Sequence, residues 1–354
     1  MQHKKFVFTL IICLPVVAFQ FCSKKSSSGS DTPETVTQPA LPATAYNYVI
    51  TYPAHIQNAL LTTDNTPANN PITNDGATLG RVLFYDKHLS KNNTISCASC
   101  HKQASSFTDN VQFSKGFENG LTSKNSMPVL NLRFYQSGKM FWDERAASIE
   151  KQALQPIQNT VEMGLTLTEL ESKVKALSYY PSLFQKAFGS ADIDSVKIAK
   201  ALAQFMRSIV TYQSKYDLVK QGMATFTAQE AAGEQLFLST PPGGGNSCAG
   251  CHAPPMFLTS TPVAPFAFPL EPGINGQNRF KSGSLRNIAS TAPYFHNGNI
   301  ATLAAVVNGG PPGAPDHIPA HSVAPADAAN LLAFLNTLSD QSVTTDVKFS
   351  DPFK

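Results

Sequence analysis

Apolar residues recur at three- and four-residue steps through Ile198, Leu202, Phe205, Ile209 and Tyr212, predicting a helix over Ser195–Tyr216 with one buried face. Asp194 or Ser195 can cap it by offering an oxygen to its first free N–H groups. Thr166–Ser178 and Pro325–Leu338 carry similar patterns, the latter with proline in the first turn, where its missing N–H is tolerated. Thr227–Leu238 reads as a further helix. Proline- and glycine-rich stretches at 240–246, 254–276 and 309–319 predict loops. Strand signals are sparse, so the expected fold class is mostly α.

The pattern changes at the N-terminus. Lys4 and Lys5 precede an apolar run from Phe6 to Phe19 that only Thr9 and Pro15 interrupt. That is a secretory leader, too short for a confident membrane span. Residues 23–45 are rich in Ser, Thr and Pro and predict a flexible tether. Roughly 310 residues follow, which suits two domains. The expected division is a signal peptide over 1–22, the tether over 23–45, an N-terminal domain over 46–222, a C-terminal domain over 223–340 and a tail over 341–354. A hinge is expected between Gly222 and Thr227.

Two motifs supply the chemistry: Cys97-Ala98-Ser99-Cys100-His101 and Cys248-Ala249-Gly250-Cys251-His252. Two thiols three residues apart can each bond a vinyl group on the edge of a porphyrin, and the adjacent histidine then ligates the iron. The motif is that of covalently attached c-type haem. A four-thiolate zinc site fits less well. Its cysteine pairs normally lie about 15–20 residues apart, whereas these lie 151 apart. Zinc also gives no reason for a histidine after each pair.

Of the six cysteines, four sit in these motifs, Cys13 lies in the leader and Cys22 just beyond it, which leaves none for a disulfide. Cys22, followed by a Ser-rich stretch, resembles a lipidated first residue. Ordinary cleavage after Ala18 is the rival. Haem attachment after export agrees with a periplasmic location, with a lipid anchor at Cys22 as the only membrane contact. The net charge of +3 includes the leader lysines, and no basic run suggests nucleic acid.

A weak repeat supports two similar halves. Leu79-Gly80-x-x-Leu83-Phe84 precedes the first motif as Ala232-Gly233-x-x-Leu236-Phe237 precedes the second, and Phe107-Thr108 and Phe257-Leu258-Thr259 follow them. Each half looks like a cytochrome c fold around one haem.

With these motifs, the stretches Phe141-Trp142-Asp143 with Arg145, Gln152–Gly164, Phe280–Asn287 and Thr291–Gly298 make the chain resemble the bacterial di-haem cytochrome c peroxidase and MauG superfamily. The resemblance runs from about Leu79 to Leu338. It implies a peroxide-reacting haem ligated by His101, with Gln152 and Glu162 on its distal side. A glutamate held in an apolar pocket by neighbours such as Pro156, Val161 and Met163 can shuttle a proton between the two peroxide oxygens. It implies that Trp142, the single tryptophan, bridges the two haems. It also implies a calcium ion between the domains, at Asn125 and the backbone carbonyls of Thr291 and Pro293.

Two departures from the family pattern stand out. Many members carry a second histidine on the first iron; here that position is Phe117, which cannot ligate. The first haem is therefore expected to be open without reductive priming. On the second haem, ligated by His252, relatives place Met or Tyr. Here the Met position falls on Gly310 and the tyrosine is deleted, so Met256, His296, His317 or His321 could substitute, or the site could be five-coordinate.

The expected function is reduction of H2O2 to water with electrons from a small periplasmic cytochrome c or cupredoxin. A MauG-type oxidase of a protein or organic substrate is the family alternative, and a non-enzymatic di-haem electron carrier is the alternative of another class. The resemblance allows a homodimer, and the sequence leaves the oligomeric state open.

Overall fold

A computed structural model of the chain describes residues 37–239, 247–259, 273–276, 280–309 and 323–354. The leader, Cys22 and most of the expected tether lie outside them, as do Gly310, His317 and His321. The described residues are mostly helical, with isolated β-bridges and no strand.

The expected helices form at Leu167–Ala176, Ser195–Ser208, Ala228–Leu238 and Pro325–Asn336. Thr166 with Glu169 and Thr227 with Glu230 build reciprocal capping boxes, and Asp194 accepts from the Lys197 N–H. The Ser195 helix stops at Ser208 rather than at Tyr216. Ile209, Val210 and Thr211 are β-branched and stiff in a helix, and tertiary partners take their backbone groups. Asn131 Oδ1 accepts from the Thr211 N–H at 3.0 Å, and Asp340 Oδ2 accepts from Tyr212 and Gln213 at 2.8 and 2.9 Å. A separate helix then runs over Lys215–Lys220.

The short sequence repeat belongs to a much larger structural one. The helix Asn74–Tyr85 crosses Ser195–Ser208 as Ala228–Leu238 crosses Pro325–Asn336. A β-carbon built on Gly80 would lie 2.0 Å from the Ala201 carbonyl oxygen, and one built on Gly233 would lie 2.0 Å from that of Asn330. Both crossings therefore need glycine. Phe84, Phe107 and Phe205 interleave beside the first crossing, and Phe237, Phe257 and Phe334 beside the second.

Asn131 and Asn287 each adopt a left-handed conformation at the start of a 3-10 turn. Their N–H groups bond Ile209 and Leu338 carbonyls, and their side chains accept from the N–H groups of Thr211 and Asp340. The apolar interior divides accordingly, with one cluster around Leu83, Phe84 and Phe205 and another around Phe237, Phe257 and Phe334.

Gly80→Ala and Gly233→Ala should each destabilise the protein by about 1–3 kcal/mol, since an added methyl must push a helix pair apart. Urea unfolding checks this; a change within error would mean that the crossings relax freely.

Both ends of the described chain pack on the first cluster. Residues 341–354, expected as a tail, form helical turns at Ser342–Thr345 and Val347–Phe349 that bury Val343 and Phe349. Tyr48 and Tyr85 hydroxyls donate to the carbonyls of Lys348 and Phe349. Part of the expected tether joins them, where the Ala40 N–H donates to the Pro352 carbonyl at 2.7 Å.

Candidate active site

The first motif forms a single turn, Cys97–Cys100, started by a capping box between Ser96 and Ser99. His101 closes that turn with its N–H on the Cys97 carbonyl at 2.9 Å. Its Nδ1 faces the Phe107 carbonyl oxygen at 3.1 Å. A carbonyl only accepts, so Nδ1 carries the ring proton and Nε2 keeps its lone pair, as a metal ligand must. Phe107 presents that carbonyl from a left-handed backbone conformation, with φ 58°.

The second motif repeats each feature. The Cys248–Cys251 turn leads to His252, whose N–H bonds the Cys248 carbonyl at 2.9 Å and whose Nδ1 faces the Gly283 carbonyl at 3.2 Å. Burial holds both imidazoles below their usual pKa, His252 at about 4, so both rings are neutral. Burial also pushes the Cys97 thiol up to about 12 and the Cys100 thiol to about 11. All four thiols are free of disulfides.

A cavity of about 360 Å³ opens beside the first motif. Cys97, Cys100 and His101 line it together with Trp142, Gln152, Glu162 and Asn125, gathered from across the first half of the chain. Phe84, Leu202, Met206 and Pro156 supply apolar wall. Two thiols, an imidazole with its lone pair free and an apolar wall suit a c-type haem.

Gln152 comes from the helix Ile149–Gln158, which Ser148 caps through the Lys151 N–H. Glu162 lies in the turn that follows, where Asn159 Oδ1 accepts from its N–H at 3.2 Å. Burial raises the Glu162 carboxyl pKa and the Arg145 guanidinium partly opposes this. Arg145 is itself held by Asp143 at 2.8 Å and lies 3.6 Å from the Phe141 ring centre.

Phe117 is not part of the cavity wall. Its ring sits over Gly164, where an added β-carbon would fall 2.6 Å from Cε1. Its N–H donates to the Glu162 carbonyl at 3.0 Å, which helps hold the glutamate segment.

Trp142 stands where the two halves meet. Its indole Nε1 donates to the Asn125 carbonyl at 2.8 Å, and its ring meets His296 edge to face at 6.4 Å between centroids. His296 stacks flat on Phe280 at 3.7 Å. The loops carrying Trp142 and His296 are counterparts, each closed by one bridge, Met140 with Ala146 and Tyr294 with Ile300. The halves also exchange matching bonds: the Asn125 N–H donates to the His296 carbonyl and the Lys281 N–H to the Trp142 carbonyl, both at 2.8 Å.

Sequence reasoning missed Lys281, which lines the first cavity from the second half of the chain. Its one signal was its place in the Phe280–Asn287 stretch. Thr291 and Pro293 are not part of this wall, and Met256 packs with the first apolar cluster.

Thiols, neutral imidazole and cavity together are the parts of a haem-binding redox site. Residues 74–225 match the family model for di-haem cytochrome c peroxidase. Cytochrome c551 peroxidase of Nitrosomonas europaea is 35% identical over 254 residues, covering 68% of this chain and 74% of that protein. MauG of Methylorubrum extorquens, a methylamine utilization protein, is 31% identical over 293 residues, covering 77% and 80%. The crystal structure of a MauG-like protein associated with microbial copper homeostasis superposes with a TM-score of 0.75 at 29% identity, covering 88% of this chain and all of that one. The chain belongs to the di-haem cytochrome c peroxidase family.

Proposed function

We infer that the protein is an oxidoreductase that reduces H2O2 to water at the cavity beside His101, using electrons from a small donor protein. The observation that carries this is the convergence of Glu162 and Gln152 on the cavity lined by Cys97, Cys100 and His101. Cys97, Cys100 and His101 would hold one haem, and Cys248, Cys251 and His252 a second, each through two thioethers and one imidazole. Haem bound there would supply an iron that takes up and releases single electrons, the chemistry that cleavage of an O–O bond requires.

The chain's own residues supply the rest. The Glu162 carboxylate accepts a proton from one peroxide oxygen and returns it to the other, which leaves as water. Gln152 can hydrogen-bond the peroxide through its amide. Partial burial in the cavity wall raises the pKa of that carboxyl. Phe117, packed away from the cavity, supports an open first site. The oxidised holoprotein should show no bis-histidine low-spin signature there.

Trp142 offers a π-system where the halves meet. Trp142→Phe should lower turnover by about tenfold, or about 1.4 kcal/mol on the barrier, with KM for peroxide unchanged. Stopped-flow and steady-state kinetics with a reduced donor measure this, and full turnover would remove the bridging role.

Calcium at Asn125, Thr291 and Pro293 has one support. Asn125 spends both its amide hydrogens on the Val111 and Gln112 carbonyls, which leaves Oδ1 as an acceptor. No cluster of three His, Cys, Asp or Glu occurs among the described residues, so amide and carbonyl oxygens would dominate such a site. Export to the periplasm, with Cys22 as an anchor, rests on the leader pattern.

A steady-state assay of the holoprotein with reduced small cytochrome c and H2O2 tests the main reading. Negligible turnover with several donors would favour a MauG-type oxidase, the reading to which Phe117 and the similarity to MauG lend weight.

A further inference from the structure

Lys281 is 4% exposed, and among the described residues it makes no ion pair. Its ammonium donates to the Lys139 carbonyl, lies 3.8 Å from the Met140 sulfur and stands 3.6 Å from the Tyr135 ring centre. Tyr135 cannot serve as a counter-ion, because its hydroxyl donates to the Ser282 carbonyl and burial keeps it protonated. Burial pushes the Lys281 ammonium pKa down to about 7, opposed only through space by Glu144, whose own carboxyl pKa is raised by burial. A buried cation supported by a carbonyl, a thioether and a ring is under-compensated. It lines the cavity that the first motif also lines.

We propose that Lys281 is a positioning residue whose ammonium pairs with a propionate carboxylate of the porphyrin in the first cavity, so that the second half of the chain clamps the cofactor of the first. This rests on the haem reading above. The propionate is an anion that the chain itself does not provide at this point, and pairing forms a charge-assisted hydrogen bond without bond breaking or electron transfer. The same segment reaches both centres, because the Lys281 N–H bonds the Trp142 carbonyl while Gly283, two residues on, accepts from the His252 imidazole. Loss of the clamp should therefore be felt at the first centre and be small at the second.

The test uses the holoprotein with Lys281→Met, which keeps much of the stem and removes the charge, and with Lys281→Arg, which keeps the charge. Mass spectrometry comes first. Absence of two haem additions in the wild type would overturn the haem reading itself, which separates that failure from this one. Spectroelectrochemical titration of loaded Lys281→Met should then show the first centre harder to reduce by about tenfold in its one-electron equilibrium, about 59 mV, with Lys281→Arg restoring most of it. A cation beside the site favours the reduced form, so its removal lowers the potential.

Resonance Raman spectra provide the readout that a merely structural lysine would not move. The propionate bending band should shift in Lys281→Met and respond to D2O in the wild type. An unchanged potential and band in a loaded Lys281→Met protein would overturn the proposal. If that variant fails to fold, a wild-type band insensitive to D2O would do the same.

Discussion

Glu162→Gln should lower kcat for peroxide reduction by about 10²–10⁴-fold while haem content, fold and both potentials stay near wild type. Glutamine matches the size of glutamate and still lines the cavity, but it neither accepts nor returns a proton near neutrality. Burial raises the wild-type carboxyl pKa, with the Arg145 guanidinium opposing it. The proposed proton transfer needs the ionised carboxylate as acceptor. Activity should therefore fall as pH drops through that raised pKa, at higher pH than for an exposed glutamate near 4.3. The acid limb should vanish in Glu162→Gln. Rates and pH profiles of both proteins decide this, and a variant within tenfold of wild type would assign the proton transfer elsewhere.

Arg286→Met should destabilise the fold by about 3–5 kcal/mol, because it strands a buried carboxylate. Arg286 and Asp217 side chains are both fully buried and joined by two hydrogen bonds of 2.8 and 2.7 Å. His55 and Ser214 complete the shell around Asp217, and Arg286 also donates twice to the Pro255 carbonyl just after the second motif. Burial alone would raise the Asp217 pKa, but the Arg286 bonds and charge outweigh it and hold the group at about 2. A depressed acid pKa contributes stability above the unfolded value of about 3.9 that is lost as pH falls towards 2. Replacing both partners by apolar residues should cost less than the sum of the single changes. Chemical denaturation of the two singles and the double checks it. Additive losses would mean that the pair is not coupled.

Helix placement shows where reading the chain succeeded and where it stopped. The starts at Leu167, Ser195 and Ala228 are legible because the caps before them, Thr166, Asp194 and Thr227, each make a local bond to an N–H three residues on. The end at Ser208 is not legible in the sequence because Asn131 and Asp340, which capture the chain there, are distant along it. Gly80 and Gly233 were legible as a repeat, but their reason, a carbonyl in a neighbouring helix, was not. Asn131 and Asn287 carried no periodic signal at all, since a left-handed residue in a loop belongs to no pattern.

By itself the chain determined the two thiol-thiol-imidazole turns, because ligand spacing on one turn of backbone is a local property. It also determined the helical class, through apolar periodicity. Only the folded structure could decide which tautomer each histidine adopts, since the Phe107 and Gly283 carbonyls that set it are brought there by other segments. The same holds for the meeting of Glu162, Gln152 and Lys281 on one cavity, and for Trp142 facing His296. Those contacts depend on helix crossings and crossed backbone bonds between the halves, which no stretch of neighbouring residues encodes.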